Sequence, residues 1–166
     1  LLRDGKGTTF EGGMRVPAVF SWPGKVSPGV VSDIGSALDV FPTVMSIVGS
    51  DMATGVDGKD LTQTLFGKAS SPRNELAYYR RGTLYAYRVG AWKLHFVTEG
   101  AYGLPPTRSE HKQPLLFNLH RDPSERFDVA AKNPEVVAKI QAAVAEHRQR
   151  FAPAAPLFDA RLATGE

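Results

Sequence analysis

The chain has 166 residues, 42% of them hydrophobic, with 20 Lys and Arg against 17 Asp and Glu and no cysteine. This length and composition fit a globular protein rather than a disordered one, and the small charge excess gives little support to nucleic-acid binding. The lack of cysteine excludes disulfides, thiolate metal sites and a cysteine nucleophile within these residues, but it leaves the compartment open.

Neither a membrane span nor a signal peptide is predicted. The longest apolar runs, such as residues 114–117, are far shorter than the roughly 20 residues that a membrane helix needs. The chain begins with Leu1 and Leu2, without Met and without a signal-peptide pattern. We therefore expect it to be part of a longer protein, with any targeting signal upstream.

The first third of the chain predicts one loop, one strand and one helix. Residues 1–13 are a glycine-rich polar loop, and residues 17–22 are a short, mostly apolar run that ends at turn formers, which predicts a strand buried on both faces. Asp39 is the predicted N-cap of an apolar helix, and Gly49 its predicted end. A strand followed by a helix indicates the closing part of an α/β layer.

The remainder predicts a small antiparallel sheet and a helix. Turn formers are dense over residues 50–75, so the domain boundary is expected there. Four β-rich segments follow at residues 75–80, 83–89, 92–98 and 115–119. Asn133, as N-cap before a proline, begins a predicted amphipathic helix over residues 134–151, which should cover one face of the sheet.

The sharpest chemical signal lies at residues 4–15, where four glycines surround Lys6 and two threonines. Glycine lets the backbone approach a ligand closely, and a lysine there presents a positive point charge to an oxyanion. A phosphate-binding P-loop is excluded by spacing, because Gly7 stands where that motif needs a Ser or Thr after the lysine. A mobile surface loop is the alternative interpretation of this composition.

This segment resembles a signature of the arylsulfatase family, GKGTT followed by an aromatic residue, EGG and an Arg-x-Pro-Ala strand that ends in WPG. The matching residues here are Gly5-Lys6-Gly7-Thr8-Thr9-Phe10-Glu11-Gly12-Gly13, Arg15-Val16-Pro17-Ala18 and Trp22-Pro23-Gly24. The resemblance continues in order through Leu38-Asp39-Val40-Phe41-Pro42-Thr43, Asp57-Gly58-Lys59-Asp60-Leu61, Trp92-Lys93-Leu94-His95-Phe96 and Asp122-Pro123-Ser124-Glu125-Arg126. The later motifs are most similar to the N-acetylgalactosamine-6-sulfatase and arylsulfatase A branches.

The resemblance implies a fold of the class α/β with α+β. Residues 1–60 would be the closing segment of a large alkaline-phosphatase-like sulfatase domain. Residues 61–166 would form a small C-terminal subdomain, a four-stranded antiparallel sheet packed by helix 134–151. The rest of the large domain, and any contact with it, would lie outside this chain.

The resemblance also implies a function, hydrolysis of sulfate monoesters of a sugar or an aryl alcohol. Lys6 matches the family lysine that contacts sulfate, so it is the expected catalytic residue here. The formylglycine nucleophile and the ligands of the family's calcium ion would lie upstream, with no metal ligand in this chain, and the isolated 166 residues are expected to be inactive. A periplasmic or secreted location and a homo-oligomer are also compatible with the family.

His111 is a second candidate for the site. It lies just before the apolar motif Pro114-Leu115-Leu116-Phe117, and related sulfatases also place a histidine there. We expect it in the long loop before residue 115, either at the mouth of the pocket as a substrate contact or acid, or as an exposed loop histidine. Tyr102 and Arg108 share that loop and could shape specificity. Val16 stands where the family usually has Glu, so the interactions of that carboxylate are absent here.

Two alternatives come from other functional classes. One is a non-catalytic module that binds sulfated polysaccharide, and the other is a phosphoryl-transfer relative on the same scaffold. An upstream C-x-P-x-R or S-x-P-x-R segment would favour the sulfatase. A comparison of sulfate with phosphate esters would separate it from the phosphoryl-transfer relative.

Overall fold

The computed structural model describes residues 1–51 and 55–154. Contacts within the chain divide it into two units. The sheet unit comprises residues 1–16 with the chain from residue 76 onward, and the helical unit comprises residues 17–75. The glycine-rich segment therefore packs with the small sheet, although about 60 residues separate them in the chain. The division of an intact enzyme at residue 60 stays a prediction.

The sheet has four antiparallel strands in chain order, as predicted. They are β1 Glu75–Arg80, β2 Thr83–Val89, β3 Trp92–Thr98 and β4 Ser109–Asn118. Arg81 and Gly82, between β1 and β2, have φ of 49° and 74°. Two consecutive residues with positive φ give a tight turn whose twist matches that of a hairpin. The two turn residues thus bring β1 back alongside β2.

Strand β4 is longer than predicted, since it begins at Ser109 instead of residue 115. The prediction placed His111 in a loop, and the structure places it in this strand. Pro114 obscured the strand in the sequence, because proline lacks the N–H that a central strand donates. It is tolerated because β4 is an edge strand and its register with β3 shifts between His95 and Val97.

The helices are α1 Glu11–Met14, α2 Val40–Ile47, α3 Thr62–Leu65 and α4 Pro134–Arg150, with 3₁₀ turns at Ala37–Asp39 and Ala130–Lys132. Helix α4 matches the prediction to within one residue and packs on the sheet. The shared core consists of Leu84, Tyr87, Val89, Leu94, Leu116, Ile140 and Val144. Asn133 does not cap α4 as predicted, because its side-chain amide donates to the carbonyl of Val129 (2.8 Å).

Asp39 organises the helical unit in a way that differs from the predicted N-cap. Its side chain accepts the N–H of Ser36 (2.8 Å) in a capping box around the 3₁₀ turn, and it makes no cap bond to α2. It also accepts the N–H of Lys59 (2.7 Å) and pairs with the Arg73 guanidinium. Burial raises the pKa of Asp39, but the bond from Arg73 and the backbone donors outweigh burial and leave it below its usual value. Gly49, with φ of 69°, ends this helical stretch as predicted.

The predicted strand at residues 17–22 is wrong. This segment is irregular, and Val19 is 91% exposed. A strand exists only when a neighbour accepts and donates its backbone hydrogen bonds, and no segment of the described chain pairs with this one. Apolar composition alone could not reveal the missing neighbour.

In the ranges 1–51 and 55–154, none of the helices combines the length and the apolar character needed to cross a bilayer.

Candidate functional site

Lys6 lies at the exposed tip of a closed loop. The loop is tied at its base by the N–H of Gly12, which donates to the carbonyl of Arg3 (2.9 Å). Within it, both the N–H (3.2 Å) and the hydroxyl (3.0 Å) of Thr8 donate to the carbonyl of Gly5. Lys6 has no ion pair or hydrogen bond with the residues that the structure describes. Its ammonium group is therefore available to an anion.

Gly12, the first of the paired glycines after Glu11, is required for the loop to close. A Cβ atom on Gly12 would lie 2.2 Å from the carbonyl oxygen of Asp4 and 2.3 Å from that of Arg3. Both neighbours are backbone atoms, so no side-chain rotation can relieve the overlap. The loop closes only because residue 12 has no side chain.

We predict that Gly12→Ala opens this loop and destabilises the intact protein by about 1–3 kcal/mol, since overpacking against backbone carries a cost of this size. Gly5→Ala is the matched control, because a Cβ there meets nothing within 4 Å. Thermal and denaturant unfolding of both variants measure the difference. Equal stability of the two variants would contradict the closed-loop geometry.

A buried ion network holds α1 against the sheet. The Lys93 ammonium lies 2.9 Å from Glu11 Oε1 and 3.1 Å from Glu125 Oε1. The N–H of Glu11 also donates to Glu125 Oε2 (2.5 Å), and His95 Nε2 lies 2.7 Å from Glu125 Oε1. These four residues are at most 1% exposed. Residues from α1, β3 and the chain after β4 are thus joined, and Glu11 ties this network to the closed loop of residues 3–12 that carries Lys6, the Lys6 loop.

Asp122 stabilises the turn that contains Glu125. The carboxylate of Asp122 accepts the N–H groups of Arg126 (2.7 Å) and Phe127 (2.8 Å), and its carbonyl accepts the N–H of Glu125 (3.1 Å). Glu125 itself has φ of 50°, in the left-handed region. Arg3 donates to the Glu125 carbonyl (2.9 Å), so the start of the chain is fastened to this same turn.

Burial favours a neutral His95, whereas hydrogen bonding and the Lys93 charge favour a charged Glu125. Burial lowers the pKa of His95, and the hydrogen bond to Glu125 does not overcome that effect. For Glu125, burial raises the pKa, but the hydrogen bond from His95 and the charge of Lys93 bring it below its usual value. Because Glu125 accepts, Nε2 of the neutral imidazole carries the hydrogen. Phe10 stacks on this ring at 4.9 Å between centroids, as expected of a structural histidine.

Lowering the pH should reduce the stability of the protein through His95 and Glu125. Below the ordinary His pKa of 6.5 the unfolded chain takes up a proton that folded His95 resists, and below the ordinary Glu value of 4.5 the same holds for Glu125. In both windows the unfolded state binds more protons, so stability falls as pH falls. We expect the melting temperature to drop from pH 7 toward pH 4, and His95→Gln to flatten the upper part of that drop. The exposed His120 provides the control, since His120→Gln should leave the profile unchanged.

A second loop, residues 99–108 between β3 and β4, packs against the Lys6 loop. Gly7 has φ of 93°, and a Cβ on it would lie 2.8 Å from the Cβ of Ala101 and 3.7 Å from the ring of Tyr102. The structure therefore places Tyr102 beside the residue that follows Lys6. Arg108, the other candidate in this loop, forms an exposed pair with Glu110 (2.6 Å).

His111 belongs to a different surface. Its Nε2 lies 2.8 Å from the Thr98 hydroxyl, and the half-buried ring lines a groove of about 340 Å³ with Phe96 and residues of α4, including Gln141 and Arg148. None of the groove-lining residues comes from residues 1–16. The structure does not bring His111 and Lys6 into one pocket, and the role of His111 as a substrate contact stays a prediction.

Residues 1–51 and 55–154 hold no cluster of three or more His, Asp or Glu side chains suited to a metal ion. The two carboxylates that do converge, Glu11 and Glu125, already share the ammonium of Lys93. Among residues 1–51 and 55–154, the side chains therefore do not fit the calcium ion of the family.

The chain matches a known protein family. The family model for the C-terminal region of aryl-sulfatase matches residues 71–164. The chain belongs to the arylsulfatase family. This sulfatase region is 36% identical over its whole length to arylsulfatase A of Bos taurus, covering 36% of that protein. It is also 36% identical to N-acetylgalactosamine-6-sulfatase of Canis lupus familiaris, over 92% of this chain and 34% of the relative.

Solved structures give the same assignment. The crystal structure of the PsFucS1 sulfatase from Pseudoalteromonas sp. matches with a TM-score of 0.78 and 25% identity, over 89% of this chain and 32% of that one. The chain spans about a third of the length of the relatives that it matches. The resemblance of its motifs to the arylsulfatase family is confirmed, and so is the predicted fold class.

Proposed function

We propose that the intact protein hydrolyses sulfate monoesters of a sugar or an aryl alcohol, and that Lys6 contacts the sulfate group. The formylglycine nucleophile and the calcium ion of the family are proposed to be held by residues outside this chain. The formylglycine would supply the nucleophile, and the calcium ion would neutralise charge on the sulfate oxygens. The observation that carries the proposal is the exposed, unpaired ammonium of Lys6 on a loop closed by backbone hydrogen bonds. A periplasmic or secreted, homo-oligomeric enzyme is part of the same proposal.

The loop suits an anion whose charge shifts during reaction. A sulfate monoester carries one negative charge, and this charge moves among its oxygens as sulfur is attacked. A cation held in place before the reaction stabilises that movement without reorganising. The backbone that carries Lys6 is held by the turn at Gly5 and Thr8 and by the buried network that begins at Glu11.

The neighbouring residues act as supports in this proposal. Glu11, Lys93 and Glu125 are buried and already paired with one another, so none of them is available to a substrate. They are positioning residues that keep α1 on the sheet. His111 is proposed as a separate substrate contact, at the groove beside α4.

The experiment that tests this function compares two esters of one alcohol, nitrophenyl sulfate and nitrophenyl phosphate, with the purified intact protein. We expect turnover of the sulfate at a rate far above that of the phosphate. Preference for the phosphate would favour the phosphoryl-transfer relative. Binding of a sulfated polysaccharide without turnover of any sulfate ester would favour the non-catalytic module.

A further inference from the structure

Tyr102 is a large aromatic side chain that the sheet unit holds out to solvent. It is 77% exposed, and its backbone has φ of 56°. This left-handed conformation is uncommon for any residue other than glycine and is a genuine outlier for a bulky one. Such outliers persist only where the surroundings impose them, and they cluster at ligand clamps and active sites.

The surroundings of Tyr102 do impose its conformation. The N–H of Gly100 donates to the carbonyl of Pro106 (2.7 Å), and the N–H of Leu104 donates to that of Ala101 (3.0 Å). Arg80 fastens the start of the same loop to the sheet by donating to the Gly100 carbonyl (2.9 Å). The Tyr102 ring is therefore exposed on a loop that hydrogen bonds hold in place.

The ring is also adjacent to the proposed sulfate contact. A Cβ on Gly7 would lie 3.7 Å and 3.9 Å from two carbon atoms of the Tyr102 ring, so the ring packs over the residue that follows Lys6. Leu104, two residues further along the loop, is 67% exposed. The exposed Tyr102 ring thus lies against Gly7, the residue next to the Lys6 cation in the chain.

We propose that Tyr102 forms a subsite for the pyranose ring of a sulfated sugar whose sulfate group contacts Lys6. This inference rests on the proposed function and names its substrate class. A pyranose ring has an apolar face of C–H groups and a rim of hydroxyls. A tyrosine matches both, since its ring is apolar and its hydroxyl is a polar tip. The preset backbone means that little conformational freedom is lost when the sugar binds.

The test uses the intact enzyme with Tyr102→Asn, because asparagine tolerates the left-handed backbone and keeps the loop. For the best substrate of a panel of sulfated hexoses and hexosamines, we expect KM to rise about 3- to 10-fold, the range of an aromatic contact, with kcat little changed. The inhibition constant of inorganic sulfate, which has no ring, should stay at its wild-type value. Tyr102→Phe keeps the apolar ring and loses only the hydroxyl, so its KM should rise less than that of Tyr102→Asn. Phe127→Ala, a change at an aromatic residue that is 61% exposed elsewhere in the sheet unit, should keep the wild-type KM.

Three results would overturn the inference. An unchanged KM in Tyr102→Asn means that the ring is not contacted. A parallel rise in the inhibition constant of sulfate means that Tyr102 only supports the Lys6 loop. Turnover of aryl sulfates without turnover of any sulfated sugar means that the substrate class is wrong. If the wild-type enzyme hydrolyses no sulfate ester at all, the proposed function itself fails, which is a distinct outcome.

Discussion

Replacing Lys6 by alanine is expected to lower kcat of the intact enzyme about 100- to 1,000-fold, the range seen when a single preorganised oxyanion donor is removed. The side chain is exposed and has no partner among the described residues, so its loss leaves nothing buried and unpaired. The melting temperature should therefore stay at its wild-type value. Steady-state kinetics with an aryl sulfate and thermal unfolding together measure the two expectations.

Two further variants are compared with Lys6→Ala, one conservative change at Lys6 and one control elsewhere. Lys6→Arg should restore only part of the rate, because a planar guanidinium cannot replace a compact ammonium charge. Lys139→Ala removes an exposed lysine from α4 and should leave kcat unchanged. Near wild-type turnover in Lys6→Ala would show that the loop is scaffolding and that the central assignment is wrong.

Removing the cation of the buried network is expected to have the largest effect on stability. In Lys93→Met the ammonium is lost while Glu11 and Glu125 stay buried, 1% and 0% exposed. Breaking a buried ion pair from one side typically costs about 3–5 kcal/mol, because an uncompensated charge remains. We expect a loss of this size in the free energy of unfolding of the intact protein, measured by denaturant titration.

The matched control is Lys139→Met, at an exposed position of α4, which should change the free energy of unfolding by no more than about 0.5 kcal/mol. Adding Glu11→Gln to Lys93→Met removes one of the two stranded charges, so the double variant should lose less than the sum of the single losses. Strict additivity would show that these side chains do not act as one network.

The elements of the sheet unit could be predicted because their signals are local. Alternating apolar strands joined by Arg81-Gly82 and Gly90-Ala91 indicate hairpins, and Pro134 with the apolar spacing after it indicates α4. The prediction of a strand at residues 17–22 was wrong because a strand is not determined by local sequence alone. Its existence depends on a neighbour that the described chain does not supply.

The ion network could not be predicted, because no local pattern reports it. Glu11 and Lys93 are 82 positions apart in the chain, and a lysine in a strand is more often a solvated side chain than a buried cation. Family resemblance named Glu11, Lys93, His95 and Glu125 within separate motifs without showing that they meet. The alternation in β3 was the available signal, since Lys93 and His95 point to the face opposite Leu94.

The hydrogen bond from the Glu11 N–H to the Glu125 carboxylate joins residues that are 114 positions apart in the chain. During synthesis it can therefore form only after all four strands of the sheet have been made. Contacts this distant in sequence form late, because the entropy of closing a long segment must be overcome first. A nascent chain exposes Lys6 and its glycines early, but the turn that anchors them leaves the ribosome more than a hundred residues later. A chain terminated after Arg121 would retain Lys6, Tyr102 and all four strands, and it would still lack the Glu125 carboxylate that fastens the Lys6 loop.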